Sequence, residues 1–210
     1  MKMKSVLSAF AAGVASVLIA LGPAAEAGAV TKTQSVTRST AVEAQGAVSA
    51  KKARKLYDIR MRVKPNNLRG HVGVAWAPSL AIKELHRCFN CTFPIKGAPK
   101  KYPKENQHLS LKACAAGPFG CRNAPVRYHG GVKNGWYFTA EKGHFDGAGS
   151  KVYFQFYSEK NTHYLMLHVW AYVTHPTVPD AINKSFATGK WQDFNHKMGV
   201  KLWCQTYGHC

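Results

Sequence analysis

Acidic residues are scarce in this chain, which has only 10 Asp and Glu against 29 Lys and Arg among its 210 residues. The formal net charge of +19 is larger than solubility requires. It therefore favours an anionic partner such as a nucleic acid, an acidic glycan or another envelope polymer. Charge alone does not distinguish among these partners, and a solvated basic surface without any partner is the alternative.

Common catalytic and cofactor signatures are also absent. The sequence contains no G-x-S-x-G, HExxH, Walker or Rossmann pattern. This removes the sequence evidence for an α/β-hydrolase nucleophile elbow, a zinc-protease helix, a phosphate-binding P-loop and a dinucleotide-binding turn. We therefore expect no cofactor.

Long apolar runs are missing except near the N terminus. Lys2 and Lys4 precede the apolar run Ser5–Leu21, and Ala25 to Ala27 forms an A-x-A cleavage pattern. Residues 1–27 are therefore predicted to be a secretory signal peptide. Its removal takes away two Lys and one Glu, which leaves a net charge of +18. We expect a secreted protein of the extracellular space or cell envelope, with no transmembrane segment in the mature chain.

The next segment, residues 28–55, is rich in Ala, Val, Ser, Thr and Gln and ends in the basic run Lys51–Lys55. It has too few large apolar residues to offset the entropy cost of ordering. We interpret it as a disordered basic linker or propeptide, and residues 56–210 as a single α+β domain.

Two segments, Lys151–Tyr157 and His163–Thr174, alternate with a period of two, which predicts β-strands with two distinct faces. One face is aliphatic and rich in Phe, and it should lie on the core. The other face is aromatic, and either a second layer covers it or it binds bases or sugar rings. The aromatic face carries Tyr153, Tyr157, Tyr164, Trp170 and Tyr172, with His168 among them. Tyr153, Tyr164, Trp170 and Tyr172 are the candidate ligand contacts.

The remaining elements complete a mainly antiparallel sheet with two or three short helices, stabilised by disulfides. Further strands are predicted at Tyr57–Val63, His71–Trp76 and His108–Ala113. Helices are predicted at Ser79–Arg87, from Pro179 to Phe186, and at Gly189–Trp203 with Thr188 as its cap.

Six cysteines, an even number in a chain predicted to be exported, favour disulfides. Cys114 with Cys121 and Cys204 with Cys210 are the preferred pairs. A zinc site is the alternative, because Cys88, Cys91, Cys114 and Cys121 resemble a loose four-thiolate pattern. A redox role for the pair Cys88 and Cys91 is a further alternative, and we expect no metal.

The Gly-rich loop Gly143–Ser150 is the candidate catalytic segment, because its glycines allow a close approach of the backbone to a ligand. His144 and Asp146 can act there as an oriented base. His129 or His168, on neighbouring segments, would supply the second histidine needed for phosphodiester cleavage without a metal. The alternative is a plain hairpin connection in which Asp146 caps the turn.

Two functions follow from these patterns. The leading hypothesis is a non-enzymatic, exported, basic protein that binds an anionic polymer or a cell surface. Lys100, Lys101 and Lys104 are the lysines expected to contact the polymer. The alternative is a small secreted hydrolase, a nuclease-like toxin that uses His144 with a second histidine.

The cleavage pattern makes a direct prediction. We expect the exported protein to begin at Gly28 or a few residues later, because signal peptidase cuts after the A-x-A pattern. Intact-mass spectrometry of protein recovered from the medium or envelope measures this. An intact Met1 on the exported chain would contradict it.

Overall fold

The structure is a computed structural model that describes residues 52–65, 73–114 and 120–208. All of them lie in one compact unit, Val48–Cys210. The fold is α+β and mainly sheet, as predicted. Its elements are β1 (Arg54–Arg62), α1 (Pro78–Arg87), α2 (Phe89–Thr92), β2 (His108–Cys114), β3 (Cys121–Val132), β4 (Gly135–Ala140), β5 (Lys151–Ser158), β6 (Leu165–Val173) and α3 (Asp180–Tyr207).

The six strands form one antiparallel sheet in the order β1-β6-β5-β4-β3-β2. From β2 to β6, strands that are consecutive in the sequence are also adjacent in the sheet. The first strand departs from this order, because β1 pairs with β6 at the opposite edge from β2. The N-terminal and C-terminal strands therefore lie side by side.

One face of the sheet is buried, in agreement with the period of two. Phe154 and Phe156 of β5 and Leu165, Leu167 and Val169 of β6 are fully buried. Trp136 and Phe138 of β4 extend the same layer and are buried as well. We call this side of the sheet the core face.

The C-terminal helix covers the core face with one apolar stripe. Ala187, Trp191, Phe194, Met198 and Leu202 recur at helical spacing and are buried in the main core. The ring of Trp191 meets Phe154 edge to face at 4.9 Å between centroids. Burying large aromatic side chains supplies most of the apolar area that stabilises a domain of this size.

The predicted break in the C-terminal helical region is wrong, because α3 is one helix of 28 residues. Thr188 does not cap a helix, since its hydroxyl donates to the carbonyl of Lys184 one turn earlier, at 2.8 Å. Gly189 is exposed within the helix. The continuous contact of the apolar stripe with the sheet offsets the cost of about 1 kcal/mol for an interior Gly.

Three other strand predictions differ from the structure. Of the predicted strand His71–Trp76, residues 71 and 72 lie outside the described residues, and residues 73 to 76 form no strand. Strand β3, Cys121–Val132, was not among the predicted strands. Strand β1 begins at Arg54, before the expected start of the domain. The predicted signal peptide and residues 28–51 of the predicted linker lie outside the described residues.

All five cysteines among the described residues are disulfide-bonded. Cys88 is bonded to Cys91, and Cys114 is bonded to Cys121 as predicted. These bonds take up the four thiols of the alternative zinc site, so that alternative is wrong. Cys204 is also disulfide-bonded, and its predicted partner, Cys210, lies outside the described residues.

Membrane-spanning character is not found in any helix of the described residues, none of which is both long and apolar enough to cross a bilayer.

Two glycines of α3 make a matched pair for testing how the helix packs. A Cβ added at the buried Gly199 would lie 2.4 Å from the backbone carbonyl carbon of Lys64, which cannot move aside as a side chain would. A Cβ at the exposed Gly189 would meet no atom within 4 Å.

We expect Gly199→Ala to lower the free energy of unfolding by about 1–3 kcal/mol, because it overpacks the contact between α3 and the segment after β1. Gly189→Ala should raise it by about 0.5–1 kcal/mol through helix propensity. Urea denaturation of both variants measures the difference. Changes of the same sign in the two variants would contradict this packing.

Candidate functional site

A small cavity lies between the core face of the sheet, α3 and the loop that joins β4 to β5. Its volume is about 70 Å³, which is room for a few water molecules or a small apolar group. Most of its lining is apolar, including Phe138, Val126 and Trp191. The polar and charged residues that line it are Tyr57, His144, Asp146, Ser150, Lys151, Tyr172 and Asn183.

The β4–β5 loop is the Gly-rich loop identified in the sequence, and its backbone is fixed by close packing against the end of β6. Gly147 adopts φ +87°, and a Cβ there would lie 2.7 Å from the backbone nitrogen of His175. The hydroxyl of Ser150 donates to the carbonyl of Asp146 at 2.7 Å and accepts from the backbone N–H of Thr174 at 3.0 Å. The loop therefore holds its side chains in fixed positions at the cavity.

His144 is a neutral imidazole of defined tautomer in this setting. Its Nδ1 accepts a hydrogen bond from the backbone N–H of Asp146 at 3.0 Å. The proton of the neutral ring is therefore on Nε2. Burial lowers the pKa of His144 to about 4, so the ring stays uncharged at neutral pH.

Asp146 is a buried carboxyl with one amide partner. Burial raises the pKa of Asp146 to about 6, although the hydrogen bond donated by the side-chain amide of Asn183 acts in the opposite direction. Asn183 lies in the first turn of α3 and is 4% exposed. Nδ1 of His144 is 3.9 Å from a carboxylate oxygen of Asp146, so the two predicted residues do lie together.

The chemical capacity of the cavity follows from these states. At pH 7 Asp146 is ionised in apolar surroundings and can accept a hydrogen bond from an amine or hydroxyl group. The neutral His144 offers one donor, and Tyr57 accepts the indole N–H of Trp191 at 3.2 Å. The cavity therefore suits a small, mainly apolar group that carries a hydrogen-bond donor.

His129 and His168 do not lie with His144, although the sequence analysis named them as candidates for the second catalytic histidine. Both are on the opposite face of the sheet, where each faces a carboxylate. Nδ1 of His129 is 3.0 Å from Glu105, and Nε2 of His168 is 2.8 Å from Asp58. Burial lowers the pKa of His168, against the opposing effect of Asp58.

That opposite face, which we call the open face, is ordered into rows by the strand register. The charged row crosses all six strands, and the aromatic row crosses four of them. All side chains of both rows are partly or fully exposed. The loop before β2 contacts the aromatic row at His129, through Glu105. The charged row is His108, Arg127, Thr139, Lys151, Tyr172 and Lys55, and the aromatic row is His129, Tyr137, Tyr153 and Trp170.

The aromatic row is a continuous stack of rings. Centroids of His129 and Tyr137 are 4.6 Å apart, and those of Tyr137 and Tyr153 are 5.0 Å apart. Tyr153 and Trp170 are 5.0 Å apart and nearly parallel, and Trp170 also stacks on His168 at 4.2 Å. Tyr137 and Tyr153 therefore each have a parallel ring on both neighbouring strands.

The charged row carries three cations. Arg127 pairs with Glu141, and Lys55 pairs with Asp58 at 2.9 Å. The hydrogen bond from Lys55 lowers the pKa of Asp58 below its usual range. The Nζ of Lys151 lies 5.5 Å from the ring centroid of Tyr137. Among the described residues Lys151 has no carboxylate partner.

Among the other predicted ligand contacts, Tyr172 is the one that lies in either row. Tyr172 lies in the charged row and meets Tyr153 edge to face at 6.3 Å. Tyr164 lies outside both rows, where the guanidinium of Arg62 is 5.4 Å from its ring. Lys100, Lys101 and Lys104 are exposed in the segment between α2 and β2. Lys104 precedes Glu105, which bonds His129 at the edge of the face.

Several residues of both sites were missed by reasoning from sequence. Asn183 and Tyr57 reach the cavity from α3 and β1, and no local pattern connects them with Asp146. Tyr137 was detectable, because Trp136, Tyr137 and Phe138 alternate in the same way as β5. The cations of the charged row become recognisable only when the strand register is known.

Comparisons with known proteins add little to this geometry. No known protein-family model matches the chain, and no curated protein matches it. Among solved structures, protein CV1439 from Chromobacterium violaceum is similar with a TM-score of 0.43 and 13% sequence identity. The match covers 69% of this chain and 96% of that chain. A similarity of this size supports no conclusion about fold or function.

The two buried groups of the cavity affect stability in opposite directions as the pH falls. The pKa of Asp146 is raised from 3.8 to about 6, so its ionisation penalises the folded state above pH 6, and the penalty is relieved towards pH 4. The pKa of His144 is lowered from 6.5 to about 4, so the unfolded state binds the proton first and stability is lost over nearly the same range.

Single variants should separate the two effects. Relative to wild type, the free energy of unfolding of Asp146→Asn should decline by up to about 1.4 kcal/mol per pH unit from pH 6 to pH 4. His144→Gln should show the opposite trend over the same range. Urea denaturation across this pH range measures both. Profiles parallel to that of wild type would contradict the buried states of these groups.

Proposed function

We propose that this protein is an exported, basic binding protein that binds an anionic polymer on the open face of its sheet. The observation that carries the proposal is that face itself. A row that carries three cations and a row of stacked aromatic rings run side by side across the strands, and their side chains are partly or fully exposed. Large aromatic side chains that stay partly exposed on a continuous surface are typical of interaction sites.

Electrostatics supports an anionic partner. The chain has nearly three basic residues for each acidic one, so its long-range field attracts polyanions. The ion pairs on the open face are exposed, and such pairs contribute only about 0–1 kcal/mol each. Polymer charges can therefore replace the protein carboxylates at Lys55 and Arg127. Lys151 needs no such exchange.

Export of the protein is part of the same proposal. The predicted signal peptide at residues 1–27 supports it, and the disulfides of Cys88 and Cys114 are typical of proteins outside the cytoplasm. Partners in that setting include envelope polymers and extracellular glycans as well as released nucleic acid.

The hydrolase alternative has less support. A nuclease-like mechanism needs a second histidine near His144, and His129 and His168 lie on the other side of the sheet. Incubation of the bound polymer with the protein, followed by measurement of polymer length, tests for cleavage. The binding proposal expects the polymer to stay intact.

Retention on immobilised heparin, a dense polyanion, gives a quantitative test of the binding surface. Binding to a polyanion releases counterions, so log affinity should fall linearly with log salt. Lys151→Gln should elute at lower salt and reduce the slope by about one, because one contact to the polymer is lost.

Lys83→Gln is the matched control, because Lys83 is exposed on α1, on the helix side of the sheet. It removes the same charge and should leave the slope nearly unchanged. Equal effects of the two variants would show that net charge alone drives retention. A protein that is not retained at low salt would exclude the proposed function.

A further inference from the structure

The open face also points to one class of polymer, an inference that rests on the proposed function. We propose that the ligand is an acidic polysaccharide with one acidic group in every disaccharide, lying across the strands along the charged row. The spacing of the cations, the state of the aromatic rings and the partners of the cations each contribute to the argument.

The cations of the charged row recur on every second strand. Arg127 is on β3, Lys151 on β5 and Lys55 on β1. In the strand order, β4 lies between Arg127 and Lys151, and β6 lies between Lys151 and Lys55. Thr139 and Tyr172 occupy the positions between them. Because neighbouring strands are about 4.8 Å apart, the backbone positions that carry the cations repeat at about 10 Å.

This repeat matches the charge pattern of a polysaccharide better than that of a nucleic acid. Each sugar unit of a β-linked polysaccharide is about as long as the spacing between neighbouring strands. In a polymer that lies across the strands, one acidic group per disaccharide therefore falls on every second strand. The phosphates of a nucleic acid strand follow each other much more closely, at about 3.4 Å per strand along a duplex axis. Most of them would fall between the cations.

The aromatic row argues against stacking of bases. Single-stranded nucleic acids bind by placing bases on exposed ring faces. The faces of Tyr137 and Tyr153 are already occupied by parallel rings on both sides. The row therefore offers its partly exposed ring edges to a ligand, and phenol hydroxyls there can hydrogen-bond to sugar hydroxyls.

The protein carboxylates do not block the row. If Arg127 leaves Glu141 to bind the ligand, Glu141 still contacts His108. If Lys55 leaves Asp58 in the same way, Asp58 still contacts His168. The ligand therefore leaves neither carboxylate without a partner. Lys151 is at the centre of the row and is exposed, and its Nζ lies 5.5 Å from the ring centroid of Tyr137.

A charge-conserving double variant tests the spacing. Thr139 and Lys151 are cross-strand partners, so Thr139→Lys with Lys151→Thr moves the central cation by one strand and keeps the net charge. We expect the affinity for hyaluronan, which carries one carboxylate per disaccharide, to fall about fivefold, as for the loss of one exposed ion pair.

The affinities for polygalacturonate, which is acidic at every sugar, and for poly(dT) should change less than about twofold, because their dense charges meet a cation in either position. Lys151→Arg is the control that keeps the spacing, and it should bind hyaluronan as wild type does. Thermal unfolding of each variant confirms that it is folded at the temperature of the titration.

Three results would overturn the inference. One is an equal change for all three polymers, and another is no change for hyaluronan. A wild-type preference for poly(dT) over both glycans would assign the face to nucleic acid and leave the proposed function in place. If wild type binds neither these polymers nor heparin, the proposed function fails as well.

Discussion

The packing of α3 on one face of the sheet is the contact on which the rest of the structure depends. Trp191 and Phe194 meet Phe93 and Phe154 in a single aromatic cluster. Because side chains alternate along a strand, covering one face leaves the other face to solvent. The same helix brings Asn183 to the loop after β4 and so closes one side of the cavity. One hydrophobic contact thus determines the position of both candidate sites.

Local patterns in the sequence account for much of the fold and little of the sites. The alternation in β5 and β6 predicted two strands and their buried face, and the helix predicted at Ser79–Arg87 corresponds to α1. The break expected at Thr188 failed, because propensity near a Gly is a weak signal beside the contact of a whole helix with a sheet. His144 and Asp146 were found through their loop. Their partners Asn183 and Tyr57 are distant in the chain and depend on tertiary packing.

Three of the few carboxylates of the chain contact histidines and cations on the open face or at its rim. Asp58, Glu105 and Glu141 each contact a histidine on the open face or its rim, and two of them also contact a cation. Each pair is weak by itself at an exposed position. Together they fix the direction of side chains on a surface that would otherwise carry only mutually repelling charges. The acidic residues therefore act mainly to orient the basic ones.

The pairing of β1 with β6 also bears on when the domain can form during synthesis. Asp58 and His168, which meet across this pair, are 110 residues apart, and Arg54 is 126 residues from its partner Asp180 at the start of α3. Contacts this distant along the chain form late, because a long loop must close first. A nascent chain that ends before β6 has neither the partner of its first strand nor the helix that covers the core. Folding is thereby postponed until α3 has been synthesised, and a shorter nascent chain stays unfolded.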